Sequence, residues 1–286
     1  MTPLSRAAAS LIAACCAAAA VLAISGCGAS NAIDPVARAA DLSSASPGYR
    51  IVLDMQVSMP SLSQPISATG TGSFTPAAHT GSFALAIDTA GVPSLGTGSL
   101  RLQEVIKGTA VYVKIPAALA SRLPGAGARP WLKLDLSNAL GSSALSSLGA
   151  NPLSGDPGQL LAYLRASGGV TKVGTEQVAG YATTHYTGHV NLDQVAARVP
   201  SAQRAAVQSA ISQLQAEGIA GQIPIDAWID GHGFVREMAM HLKASPAGQT
   251  VSTAIRILIP QYGPQPAPTV PPASQVTDAS GLLGAG

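Results

Sequence analysis

The sequence is short of charge. Lys and Arg (16) with Asp and Glu (14) make up 10% of its 286 residues, against about 25% in an average soluble domain. Aromatics are scarce as well, at 4%, while the hydrophobic set reaches 47%. No stretch concentrates Lys and Arg and the net charge is only +2, so the basic surface that tracks a phosphate backbone is missing and nucleic-acid binding is disfavoured. After the N-terminus no run approaches the roughly 18 uninterrupted apolar residues of a bilayer span, which excludes a polytopic membrane protein.

Catalytic signatures are missing too. There is no His-Glu-x-x-His, no Gly-x-Ser-x-Gly elbow and no Walker loop. Gly70-Thr71-Gly72-Ser73 and Gly96-Thr97-Gly98-Ser99 are Gly-rich, but neither precedes a helix start that could cradle a phosphate. They read as turns or strand bulges. His185 and His189 stand four apart, on one face of a strand, and a zinc site would need a third ligand from His79, His232 or Asp193. Two surface histidines on a polar strand face is the favoured reading. Asp226 and Asp230 flank Trp228, but Asp230 is accounted for as a turn residue. The expectation is a non-enzymatic protein with no catalytic residue, no metal and no cofactor.

What is present begins with the N-terminus. One positive side chain, Arg6, precedes an almost purely apolar run from Ala7 to Ile24, and small residues follow; this is the layout of a cleaved secretory signal. The tetrad Ile24-Ser25-Gly26-Cys27 looks like the lipobox of bacterial lipoproteins, where the Cys thiol takes up diacylglycerol and the bond before it is cut. Small side chains admit the peptidase, and a thiol is nucleophilic enough to form the thioether. Cys15 and Cys16 would leave with the signal, so of three cysteines only Cys27 stays and no intramolecular disulfide can form. Two or three acyl chains such as palmitate, at about 0.8 kcal/mol per buried methylene, would hold the chain firmly on a membrane. The expected divisions are a signal over residues 1–26, a lipidated tether over 27–33, one β-rich domain over 34–260 and a disordered Pro-rich tail over 261–286. The tail has no Lys or Arg and no periodicity, so it lacks the apolar surface to offset ordering.

Within the domain, Asp34-Pro35 starts a short helix that Pro47-Gly48 closes. The period then becomes two. Tyr49, Ile51, Leu53, Met55, Val57 and Met59 point one way and Arg50, Asp54, Gln56 and Ser58 the other, with Val52 the exception. Alternation recurs over residues 81–88, 109–115, 131–136, 234–243 and 250–259, between turns rich in Gly, Pro and Ser, which implies an antiparallel sheet. Asp230-Gly231 supplies the positive-φ chemistry of a hairpin. Helices are expected from Asp156, through Leu160, Leu161 and Leu164, and from Ser201, with Val207, Ala210, Ile211 and Leu214 on one face. Residues 137–155 lack a period and read as a long mobile loop or lid.

The phrases Ala110-Val111-Tyr112-Val113-Lys114-Ile115-Pro116, Pro130-Trp131-Leu132-Lys133-Leu134, Val173 to Tyr186 and Ile225-Asp226-Ala227-Trp228-Ile229-Asp230, in that order after a lipobox and a short helix, resemble the LppX, LprA, LprF and LprG group of actinobacterial lipoproteins. The resemblance covers most of Asp34 to Pro260. It implies an α+β, mostly antiparallel β, LolA-like fold: a curved half-barrel sheet with a few helices covering its concave face and leaving an apolar cavity. It also implies binding of lipid or glycolipid acyl chains and lipid transport in the cell envelope, on the outer face of the cytoplasmic membrane.

The residues themselves fit such a cavity. Aliphatic and flexible Met side chains without bulky aromatics leave adaptable space. The lining candidates are Ile51, Leu53, Met55, Val57, Phe83, Leu85, Val111, Val113, Met238, Met240 and Ile257. The alternative is an envelope interaction or sensor lipoprotein with a filled core and no lipid ligand, contacting a partner protein or the cell wall, with the Pro-rich tail as one route of contact.

Overall fold

The alternation seen from Tyr49 onward becomes the centre of one large sheet. A computed structural model describes residues 35–60, 62–88, 98–116, 129–135, 169–192, 221–245 and 250–279, with single positions elsewhere. The signal, Cys27, the tether and the 137–155 segment lie outside the described residues. From Val36 onward the described chain belongs to one compact unit, Val36–Gly286.

The first helix, α1 (Pro35–Ser44), starts on Pro35, whose fixed φ suits a first helical position, and buries Val36, Ala39, Ala40 and Ser43 at spacings of three and four. It stops where the Ser46 hydroxyl donates to the Gly48 carbonyl at 2.7 Å, a local bond that competes with helix. Six strands then run outward as an antiparallel meander: β1 (Tyr49–Ser58), β2 (Ile66–Thr75), β3 (Thr80–Asp88), β4 (Ser99–Lys107), β5 (Ala110–Lys114) and β6 (Trp131–Asp135). Five more come back: β7 (Thr171–Val178), β8 (Tyr181–Asn191), β9 (Gln222–Asp230), β10 (Val235–Ala244) and β11 (Val251–Tyr262). Because β11 pairs with β1, the two meanders join into a twelve-stranded sheet, with β12 (Val276–Asp278) parallel to β6 at one edge and β7 at the other.

Register puts the apolar residues of neighbouring strands in line. One row runs Ala227, Met238, Ile257, Leu53, Gly70, Leu85, Leu102 from β9 to β4. The next runs Ile51, Gly72, Phe83, Glu104, Val113, Leu132 from β1 to β6. A period of two sends every other residue to the opposite face, so these rows share one face, apolar but for Glu104, and most polar residues of the strands share the other. The apolar face receives α1 together with helical positions Leu161 and Ile211, both in the core. Around Ile211 the helical positions Arg204, Gln208, Ser212 and Gln215 are exposed, which is the amphipathic pattern expected from Ser201 onward. Leu192, Gln194 and Ala197 are helical as well, a turn that lacked a sequence signal.

Three expectations need correction. Gly70-Thr71-Gly72-Ser73 is neither turn nor bulge but the interior of β2, and the glycines are there because Phe83 lies flat across them. A Cβ at Gly70 would stand 2.4 Å from the Phe83 ring, and one at Gly72 2.5 Å. Second, the β9–β10 turn takes its positive φ at Gly233 (φ 93°) rather than at Gly231, while the Asp230 carboxylate ties the loop by accepting from the His232 and Phe234 amides at 2.9 and 3.0 Å.

Third, the tail is ordered as far as Ala279. β11 itself continues to Tyr262, and the Gly263 amide donates to the Gly48 carbonyl at 2.8 Å. An extended strap then crosses the polar face of the sheet to β12, which docks on β6 with the Ala279 amide donating to the Lys133 carbonyl at 2.8 Å. Val105, which points to the polar face, is buried, as are Pro271 and Ala279. A Pro-rich chain is already extended and has little entropy to lose on docking, and the sheet supplies the apolar partner that the tail lacks.

Candidate functional site

The eleven lining candidates all fall on the apolar face, but not in equivalent settings. Ile51, Leu53, Phe83, Leu85, Met238, Met240 and Ile257 belong to the buried core, with exposures of 1–8%, and Met55 packs against them. Val57 is half-buried near the end of β1. Val111 and Val113 sit in β5 and are half-buried. Their neighbours on the same face, Leu100, Leu102 and Ile106 of β4 and Leu132 and Leu134 of β6, are half-buried too. The apolar face therefore changes along the sheet, from a packed core under β1 and β9–β11 to a band of partly exposed aliphatics on β4–β6. β4 escaped the sequence reading because Leu100-Arg101-Leu102-Gln103 alternates for only four residues before Val105-Ile106 breaks the period.

The aromatic end of the core is organised by Tyr262. Its hydroxyl donates to the Val235 carbonyl at 2.9 Å and lies 3.2 Å from Ser43 Oγ, which fixes α1 to the sheet. Beside it Arg236 is buried at 5%, its Nε donates to Asp230 Oδ2 at 2.7 Å, and its guanidinium lies 3.6 Å from the Tyr181 ring centroid. Its Nη1 is buried without a hydrogen-bond acceptor. The pair fastens the β9–β10 hairpin, and its burial makes each partner dependent on the other.

The polar face carries a second cluster across β7, β8 and β9. His185 stacks on Trp228 with ring centroids 4.3 Å apart. His185 Nε2 is 2.9 Å from Asp226 Oδ1, and Trp228 Nε1 donates to Glu176 Oε2 at 3.1 Å. His185 Nδ1 lies 3.2 Å from Glu176 Oε1 but off the line of a hydrogen bond. The two carboxylates address opposite edges of the imidazole, so the three groups do not converge on a point where a metal could sit. His189 is four residues further along the same strand, about 13 Å away at 3.3 Å per residue, too far for a shared ion. Among the described residues no group of three or more His, Cys, Asp or Glu could hold a metal. Further along this face Arg256 grips Glu237 through two hydrogen bonds, Nη2 to Oε2 at 2.7 Å among them. Those bonds, opposed by partial burial and aided by the fields of Glu237 and Asp54, raise the guanidinium above its ordinary pKa.

No side-chain hydroxyl is hydrogen-bonded to a histidine among the described residues, so a nucleophile and its base are not paired there. Cys27 lies outside the described residues.

No protein-family model matches the sequence, and no curated protein matches it. Solved structures do. The chain is similar to LprF from Mycobacterium bovis, at 13% identity over 82% of this chain and 94% of that one with a TM-score of 0.40. It is similar to the lipoprotein LppX of Mycobacterium tuberculosis, at 12% identity over 81% and 94% with a TM-score of 0.44. It is also similar to the MucA/MucB complex of Pseudomonas aeruginosa, at 12% identity over 84% of this chain and 59% of that one with a TM-score of 0.32.

Proposed function

We propose that this protein is a non-catalytic, membrane-anchored lipoprotein that shields the acyl chains of a lipid or glycolipid against the apolar face of its sheet while they move through the cell envelope. The supporting observation is the half-buried band on β4–β6, where Leu102, Ile106, Val111, Val113, Leu132 and Leu134 adjoin the packed core without being covered as it is. In this reading the sheet curls round that face as a half-barrel. The acyl chain lies on the β4–β6 band, and Met238, Met240, Ile257, Ile51, Leu53, Phe83 and Leu85 form the packed wall behind it. An acyl chain gains about 0.8 kcal/mol per methylene it removes from water, and branched aliphatics with Met nearby accommodate chains of different length. Cys27 is the anchor, holding the protein on the outer face of the cytoplasmic membrane.

The test is to purify the full-length chain from its native host without sugar detergents, examine it by native mass spectrometry and extract it with organic solvent. Co-purifying acylated species in stoichiometric amount are expected. A chain that carries no lipid and fails to take up added fatty acid would overturn the reading.

A further inference from the structure

The polar face bears a furrow on the side away from the apolar band. Its floor is one ladder row that crosses six strands: Val52, Thr71, Ala84, Gln103, Lys114 and Trp131. At about 4.8 Å per strand spacing the row is about 24 Å long. The strap forms one wall. Two hollows follow the row, one of about 520 Å³ between Trp131 and Thr71 and one of about 370 Å³ from Thr71 to Pro260 and Gln261; both reach Thr71, so they are read as one trough. Thr71, Ser82 and Gln103 from the sheet and Thr269 and Gln275 from the strap border the larger hollow. None of these five side chains has a hydrogen-bond partner among the described residues.

We propose that this furrow binds a linear neutral saccharide, with Trp131 as the stacking platform at one end and the five hydroxyl and amide side chains as its hydrogen-bonding rim. The chemistry selects that class. Unpartnered neutral donors and acceptors around an aromatic ring match a polyol, which offers hydroxyls at its edge and C–H groups on its face. An acyl chain would leave those polar groups unpaired, at about 1–3 kcal/mol for each one buried. Among the described residues that border the larger hollow there is no cation for a phosphate-bearing ligand, and Glu104 would oppose its charge; Arg50 borders the smaller hollow, and Lys114 lies 5.8 Å from the Trp131 centroid. A peptide adding as a strand would need a free backbone edge, and every strand under the furrow from β1 to β5 is paired on both sides. The inference stands independently of the lipid reading, since it uses the opposite face.

Trp131 and Trp228 are the two tryptophans, and Trp228 is committed to His185 on β8, so full-length Trp228→Phe protein leaves Trp131 as the sole indole reporter. In an amine-oxide detergent, which carries no sugar, it is titrated with maltotetraose, cellotetraose, mannotetraose and the soluble neutral glycan released from the host envelope. A saturable change in Trp131 fluorescence with at least one probe is expected. Affinity by calorimetry should fall at least tenfold in Gln103→Leu, an exposed strand position that leaves the core untouched, and should be lost in Trp131→Leu. A flat titration with every probe overturns the proposal. So does binding that is unchanged in Gln103→Leu, or saturation by a peptide of the strap sequence in place of the sugars.

Discussion

Truncating the two cross-strand partners Val113 and Leu132 separates a lipid-bearing surface from ordinary core. These residues face each other across β5 and β6 and are both half-buried. Val113→Ala with Leu132→Ala deletes five carbon atoms, which at about 0.8 kcal/mol each would be about 4 kcal/mol if fully buried. With half the surface already covered in the folded chain, about 2 kcal/mol falls on stability and about 2 kcal/mol remains for an acyl chain to realise, which is roughly thirtyfold in affinity. Met238→Ala is the comparison, because Met238 is 1% exposed: it should cost 2–5 kcal/mol, roughly, in urea unfolding and leave lipid affinity within about twofold, a difference of about 0.4 kcal/mol. Displacement of a fluorescent polyene fatty acid reads the affinity and urea melts read the stability. Loss of lipid binding in Met238→Ala with binding intact in the Val113/Leu132 pair would refute this, since the ligand would then lie against the packed core under β1 and β9–β11 and not on the β4–β6 band.

Other outcomes follow from single contacts. Asp230→Asn strips from a buried Arg236 the carboxylate it pairs with among the described residues and weakens two turn bonds, so unfolding should move by about 3–5 kcal/mol, and a shift below 1 kcal/mol in urea would show the guanidinium finding water or another acceptor. Gly70→Ala should destabilise by about 1–3 kcal/mol against the Phe83 ring, and in a Phe83→Leu background by visibly less; additive losses in the double-mutant cycle would refute the ring contact. Ending the chain after Tyr262 uncovers Val105 and the β6 edge, with an expected loss of about 1.5–3 kcal/mol and faster proteolysis between β5 and β6; an unchanged melt would mean the strap adds nothing. Cys27→Ala should end incorporation of labelled palmitate, measured on the immunoprecipitated protein, and persistence of label would place the modification elsewhere.

Much of the sheet was legible because period two needs only local information. β1, β3, β5, β6, β10 and β11 each announce one wet and one dry face, and Tyr49 to Ser58 does so over its whole length. Apart from β4, whose alternation is too short, what escaped lay in strands whose dry face is not apolar in sequence. β2 reads Ile-Ser-Ala-Thr-Gly-Thr-Gly-Ser-Phe-Thr, and its glycines look like punctuation until Phe83 of the next strand is seen to fill the space they leave. A side chain missing from one strand is thus supplied by its neighbour, a pairing set by register that no window within a single strand contains. Likewise β7 is almost wholly exposed and has no pattern to show.

The tail carries the same lesson further. Read alone, residues 263–279 have too little apolar surface to fold, and that judgement is sound for an isolated chain. Their order depends on a sheet face more than a hundred residues upstream, on which Val105 and the β6 edge are already in place and need covering. An edge strand left open is a template for unwanted pairing, and three residues of β12 close this one, with an exposed ion pair, Lys133–Asp278 at 3.4 Å, among the described residues. Such a pair contributes about 0–1 kcal/mol, so the strap is held mainly by backbone pairing and by Pro271 and Val105. It is therefore anchored at its two ends, at Gly263 and at β12, and its middle is free to wall a furrow instead of sealing it. Composition misjudges the tail because it counts the surface a segment can bury within itself, whereas this segment is ordered by the surface it covers.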